Sequence, residues 1–183
     1  MLWMYSQFAF CGCIVIVDFI GLSNYNEYMV RFKACAIVGD NEVYPDDKMC
    51  REVTLLLNKL INEKQFNVFY VAPKGPFEWM VRNLLSELEQ HRYPFITTYL
   101  MAAYDEFNGG GNSDIMFDTE LTAYVKAAHP MHRPTEFECK CAGIDKSEFV
   151  IFAFGGEEFK EEYIEHAKKQ NKEYVVFLNN KEE

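Results

Sequence analysis

Residues 67–102 read NVFYVAPKGPFEWMVRNLLSELEQHRYPFITTYLMA. Two short apolar runs, 67–72 (NVFYVA) and 95–102 (FITTYLMA), flank a segment in which Phe77, Met80, Val81, Leu84, Leu85 and Leu88 recur every three or four residues. That spacing is one face of a helix, whereas the flanking runs are short, rich in aromatic and β-branched residues and bounded by turn residues, as buried strands are. The turn Pro73-Lys74-Gly75-Pro76 opens the helix and Pro94 closes the connection to the next strand. A strand, a helix and a strand in this order make a right-handed crossover between parallel strands, which no tight turn can join.

The alternation continues in both directions. Upstream, residues 32–38 (FKACAIV) read as the first strand, ending in Gly39. After turn residues 40–45 a helix is expected, with Pro45 near its first position and Asp46 and Asp47 in its first turn, where the helix dipole favours negative charge. Its buried face is Met49, Val53, Leu56, Leu57, Leu60 and Ile61, and it ends near Lys64. Downstream, residues 104–113, with Gly109, Gly110 and Gly111, read as a loop. Residues 114–117 read as an extended piece, 119–128 as one or two helical turns and 129–134 as a proline-bounded loop. Thr135 and Glu138 have capping-box spacing for a helix over 135–145. Residues 149–154 (FVIFAF) form a fourth strand, Gly155 and Gly156 break the chain, and 157–170 form a charged helix with Phe159, Tyr163, Ile164 and Ala167 inward. Residues 174–178 (YVVFL) are the fifth strand. Five apolar strands with helical crossovers predict an α/β fold: a Rossmann-like doubly wound, mainly parallel five-stranded sheet of order 3-2-1-4-5. Ligands of such sheets bind beyond the carboxyl ends of the strands, where the order reverses.

The 183 residues suit a single domain, and 49% hydrophobic content with only 6 Pro and 10 Gly excludes disordered and collagen-like chains. Asp and Glu total 28 against 18 Lys and Arg, a formal charge of −10 without a basic stripe, which excludes a long nucleic acid as partner. A small ligand or a protein partner is expected. Six cysteines are too dilute for a secreted disulfide scaffold and indicate a reducing, cytoplasmic setting. Residues 8–22 (FAFCGCIVIVDFIGL) are apolar, but Asp18 interrupts them and no Lys or Arg precedes Arg31, so neither a signal peptide nor an anchor is well formed. Membrane association through residues 2–22, an added strand, or a start upstream of the native one at Met29 remain the readings of this extension. The chain therefore divides into an N-terminal extension, 1–28, and one α/β domain, 29–183.

Three predicted strand exits carry glycine: Gly39, Gly75, and the pair Gly155 and Gly156. Glycine lets backbone approach a ligand, and helix starts just beyond offer unpaired N–H groups; strand-to-helix turns also use glycine for their own geometry. The dinucleotide fingerprint GxGxxG and the phosphate-binding GxxxxGK[ST] are absent. Asp40, Asp46, Asp47, Glu78, Glu157 and Glu158 crowd this edge, which disfavours a phosphate-rich ligand unless Lys74, Arg82 or Arg133 compensates. His129, His132, Cys139 and Cys141 are zinc-ligand types. Two residues apart on a helix, however, the thiols diverge by about 200°, and no metal is expected. No G-x-S-x-G elbow is present. Glu78 is the acid/base candidate at the start of the second helix, where a carboxylate also favours the dipole. Trp79 and Phe77 could stack on a base, although Phe77 also fits the core stripe.

Three stretches, 69–88 (FYVAPKGPFEWMVRNLLSEL), 143–156 (GIDKSEFVIFAFGG) and 167–178 (AKKQNKEYVVFL), resemble blocks of the YpsA-like branch of the SLOG superfamily, and the resemblance extends over residues 32–179. It implies a Rossmann-like fold binding a nucleotide or nucleotide-derived ligand; no cofactor is expected. Gly39 matches the glycine after the first strand; Gly75, Phe77 and Glu78 match a glycine-aromatic-acid block; Gly155 and Gly156 match paired glycines. Asp40 and Asn41 stand where the family commonly has a basic or His-Arg pair, and Cys139 and Lys140 where it has Arg-Asn. The ligand site so implied is Gly39, Asp40, Lys74, Gly75, Arg82, Gly155 and Gly156, with Glu78 on a ribose or base. Relatives that hydrolyse N-glycosidic bonds place a carboxylate at the Glu78 position, which makes a nucleotide N-glycosidase the alternative. A non-catalytic protein-interaction module with a degenerate pocket is the third reading. Pairing as a homo-oligomer through a helix face suits the architecture, but no pattern selects it.

Overall fold

The computed structural model of this chain describes residues 32–103, 121–125, 134–155 and 160–178. The expectations for the extension 1–28, the segments 104–113 and 114–117, residues 129–133, Gly156 and Phe159 lie outside the described residues. In chain order the elements are β1 (Ala34–Gly39), α1 (Asp47–Asn62), β2 (Val68–Val71), α2 (Pro76–His91), β3 (Thr97–Ala103), β4 (Leu121–Val125), α3 (Glu136–Lys146), β5 (Phe149–Phe154), α4 (Lys160–Lys169) and β6 (Glu173–Leu178).

The strands form one sheet in the order β4-β3-β2-β1-β5-β6, and every pairing is parallel. The five predicted strands take the expected 3-2-1-4-5 arrangement. A sixth strand, β4, extends the sheet beyond β3. Here the helical reading of residues 119–128 is corrected: Leu121–Val125 (LTAYV) is extended. The open edge of β3 offers a row of unpaired backbone groups, and Thr, Tyr and Val suit a pleated surface; five residues are too few for periodicity to tell a strand from a helical turn.

Alternation along β1 and β5 sends successive side chains to opposite faces. Cys35, Ile37, Phe149, Ile151 and Ala153 join Phe69 and Val71 of β2 under α1 and α2, which contribute Val53, Leu57, Leu60, Ile61, Phe77, Val81 and Leu85. Ala36, Val38, Val150, Phe152 and Phe154 face Cys141 and Ile144 of α3 and Tyr163 and Ala167 of α4. Strands buried on both faces read as unbroken apolar runs, which is why FKACAIV and FVIFAF show no polar alternation.

The helix starts follow capping chemistry. Asp46 is the N-cap of α1, its Oδ1 accepting the Met49 N–H at 2.7 Å, so α1 begins two residues beyond the proline expected near its first turn. Thr135 caps α3 in a capping box with Glu138. Within α3, Cys139 packs beside Met101 while Cys141 joins the core under α4, the divergence that their spacing on a helix imposes. No helix among the described residues is long and apolar enough to cross a membrane.

Leu57 is fully buried at the centre of the α1 stripe. Leu57→Ala is expected to lower unfolding stability by about 2–5 kcal/mol, read as a lower urea midpoint with an unchanged native far-UV circular dichroism spectrum.

Candidate functional site

At the carboxyl edge β1 and β5 leave the sheet together, Gly39 lying opposite Ala153 in register. The Asp40 N–H donates to the Ala153 carbonyl at 3.1 Å. The Asp40 carboxylate then binds both exits: Oδ2 accepts the Gly155 N–H at 2.8 Å and Oδ1 the Glu42 N–H at 2.9 Å. Gly155 packs flat on this turn, where a Cβ would come within 2.9 Å of the Glu42 carbonyl oxygen.

Behind Gly39 lies a buried charge cluster. Glu78, in the first turn of α2, has no exposed surface. Its Oε1 accepts the Gly39 N–H at 2.8 Å and sits 3.5 Å from Lys140 Nζ. Lys140, itself 3% exposed, reaches across from α3 and donates to the Gly39 carbonyl at 2.6 Å and to Glu136 Oε1, one helical turn earlier, at 2.6 Å. Gly39 thus presents its N–H to the acid and its carbonyl to the base. Glu78 Oε2 has no hydrogen-bond partner among the described residues and lies against two glycines: a Cβ on Gly39 would approach it to 2.8 Å, and one on Gly75 would overlap it. Gly75, the N-cap of α2, also has φ of +118°, which an L side chain rarely adopts. Burial raises the Glu78 pKa above the ordinary carboxylate range, against the opposing pull of Lys140 and the Gly39 N–H.

In front of this cluster opens a cavity of about 490 Å³. Residues 39–42 at the β1 exit form one wall, Thr135, Glu136, Phe137 and Lys140 of α3 a second, and Glu162 and Tyr163 of α4 a third. The Phe137 and Tyr163 rings lie 5.0 Å apart, tilted by 36°, with Phe154 behind Tyr163 at 6.4 Å. Burial, together with nearby acids led by Glu136, pushes the Tyr163 phenol well up, so it stays neutral at physiological pH.

Of the predicted ligand residues, Gly39 and Asp40 line this cavity. Gly75 and Gly155 stand at the same rim but make room for Glu78 and for the Glu42 backbone. Lys74 borders a separate recess of about 60 Å³ with Pro73, Met101 and Cys139. Arg82 is 2% exposed and donates from Nη1 to the Pro73 carbonyl at 3.4 Å, supporting the β2–α2 turn. Phe77 is core and Trp79 is 58% exposed on α2. The cavity residues that the sequence reading did not select are Asn41, Glu42, Thr135, Glu136, Phe137, Lys140, Glu162 and Tyr163. Lys140 carried one legible signal, a cation four residues after Glu136 and flanked by Cys139 and Cys141, both apolar-side residues. Among the described residues no group of three or more His, Cys, Asp or Glu side chains is arranged to hold a metal ion. Comparison with known protein families, with curated proteins and with solved structures finds no match.

Two outcomes follow from the charge cluster. Because the folded state raises the proton affinity of Glu78, it retains a proton that the unfolded chain releases above the ordinary carboxyl pKa of 4.5. Its contribution to stability therefore falls as pH rises from there through the native value, and Glu78→Gln is expected to flatten that decline in urea midpoints measured across the range. Lys140→Met leaves Glu78 without its neighbouring cation and the Gly39 carbonyl without its donor, and is expected to cost about 3–5 kcal/mol. The double variant Glu78→Gln/Lys140→Met is expected to lose less than the two single variants added together.

Proposed function

We propose that this protein binds a nucleotide-derived small molecule in the cavity at the carboxyl ends of β1 and β5, as a Rossmann-like binding domain of SLOG type. The observation that carries this reading is position. The sheet order runs outward from β1 in both directions, and the cavity of about 490 Å³ opens at that reversal. Sheets of this class bind ligands there, and ligand pockets commonly have volumes of about 300–1,000 Å³.

The wall chemistry supports the same class of guest. Phe137 and Tyr163 offer aromatic surface for a base, and the carboxylates of Glu136 and Glu162 accept hydrogen bonds from sugar hydroxyls. Glu78 serves the site from behind, fixing Gly39 and Lys140, while its own carboxyl group stays sealed. Binding without turnover, as in a sensor, is the activity that this division of labour supports.

Thermal unfolding with adenosine, N1-methyladenosine, adenosine monophosphate and a dinucleotide is the test. A ligand present at about a hundredfold its Kd stabilises the native state by about 2.7 kcal/mol and raises the midpoint by several degrees. At least one member of the panel is expected to do so. Phe137→Ala is expected to weaken that ligand about tenfold or more, the cost of one lost stacking platform, while Trp79→Ala on the outer side of α2 leaves it unchanged. A panel without any shift overturns the proposal.

A further inference from the structure

We infer that the guest of this cavity is a cation: a positively charged, phosphate-free nucleoside whose charge is read by Phe137 together with Glu136 and Glu162. This rests on the nucleotide-derived reading above and narrows it to one charge class.

The first ground is the balance of charge. Asp40, Glu42, Glu136 and Glu162 line the cavity, and among the described lining residues the one cation is Lys140. An ammonium has three N–H donors and no acceptor. Those of Lys140 face three protein oxygens: the Gly39 carbonyl at 2.6 Å, Glu136 Oε1 at 2.6 Å and Glu78 Oε1 at 3.5 Å. A phosphate would have to compete for Lys140 with the oxygens it already holds, the Gly39 carbonyl and Glu136 nearest among them.

The amino end of α3 is the feature that would argue the other way, since a helix start carries about half a positive unit charge. In α3 that end is already answered. Glu138 Oε2 accepts the Thr135 N–H at 2.7 Å, Thr135 Oγ1 accepts the Glu138 N–H at 3.1 Å, and Glu136 adds a further carboxylate to the first turn. Half a unit of charge does not reverse a lining that holds four acidic residues against one lysine.

The second ground is the aromatic surface. Phe137 keeps 37% of its surface exposed and lines the cavity, while its ring rests on Tyr163 at 5.0 Å. Tyr163 already has a cation beside it, Lys140 Nζ lying 6.0 Å from its ring centroid. An aromatic surface bordered by carboxylates is the usual receptor for alkylated, weakly hydrated nitrogen cations, which the ring quadrupole and the acids both stabilise. A base carrying such a nitrogen satisfies stacking and charge at once.

Isothermal titration of the intact chain at neutral pH tests this with four probes: N1-methyladenosine, whose base is cationic; adenosine, its neutral counterpart; N1-methyladenosine 5′-monophosphate; and trimethylphenylammonium, a cation without a sugar. N1-methyladenosine is expected to bind about tenfold or more tighter than adenosine. Its affinity should fall with added salt, and the added phosphate should weaken it. Glu162→Gln, an exposed change on α4, is expected to narrow the ratio between the cationic and neutral nucleosides. Equal or tighter binding of adenosine, or tightest binding of the monophosphate, overturns the charge assignment and leaves the nucleotide-derived reading intact. Binding of trimethylphenylammonium with both nucleosides silent overturns the nucleotide-derived reading and leaves the cation preference standing. Silence of all four probes overturns both.

Discussion

The carboxylate of Glu78, buried where two glycines meet, is the constraint on which the edge of this sheet is organised. It holds the Gly39 N–H and draws Lys140 out of α3 across the end of β1. Lys140 in turn fixes Glu136 at the mouth of the cavity. One ionisable group that water cannot reach therefore links α2, β1 and α3 from opposite faces of the sheet. The arrangement is not an economical source of stability, because desolvating both charges costs nearly as much as their attraction returns. What it supplies is geometry: the strand exit and the helix start cannot shift independently without stranding one of the charges.

Most of the fold was legible because the signals were local and strong. FKACAIV, NVFYVA, FVIFAF and YVVFL are runs that only a sheet covered on both faces can accommodate, and the intervening stripes have an unambiguous helical period. The capping box of Thr135 and Glu138 marked the start of α3 to the residue. β4 was missed because its identity is set by a neighbour: LTAYV is extended through pairing with the edge of β3, and that pairing leaves no trace in five residues. Likewise, Asp46 rather than Pro45 marks the entry to α1, since the cap depends on which side chain can turn back to an N–H.

The site was legible in location but less so in composition. Glycines at strand exits pointed to the rim where the cavity opens, yet Gly75 and Gly155 are there for internal clearance, one over Glu78 and one over the Glu42 carbonyl. The residues that shape the cavity sit on α3 and α4, and nothing in their spacing distinguishes Phe137 or Glu162 from ordinary helix-surface residues. Their significance comes from tertiary placement, with Phe137 laid on Tyr163 and Glu136 drawn in by a lysine whose burial has no sequence signature beyond a four-residue offset. Glu78 shows the converse: its position at a helix start was plain, while its lack of exposure depends on Gly39, thirty-nine residues away.

The distance along the chain between the cavity's walls has a consequence for when the pocket can exist. Gly39 and Lys140 are 101 residues apart, and the third wall lies later still, on α4. Such long-range closure is paid for in loop entropy before it is rewarded, so it belongs to the late stages of folding. The pocket therefore depends on α3 and α4 as much as on β1, and disruption of either helix removes a wall even where β1, β2 and β3 stay paired.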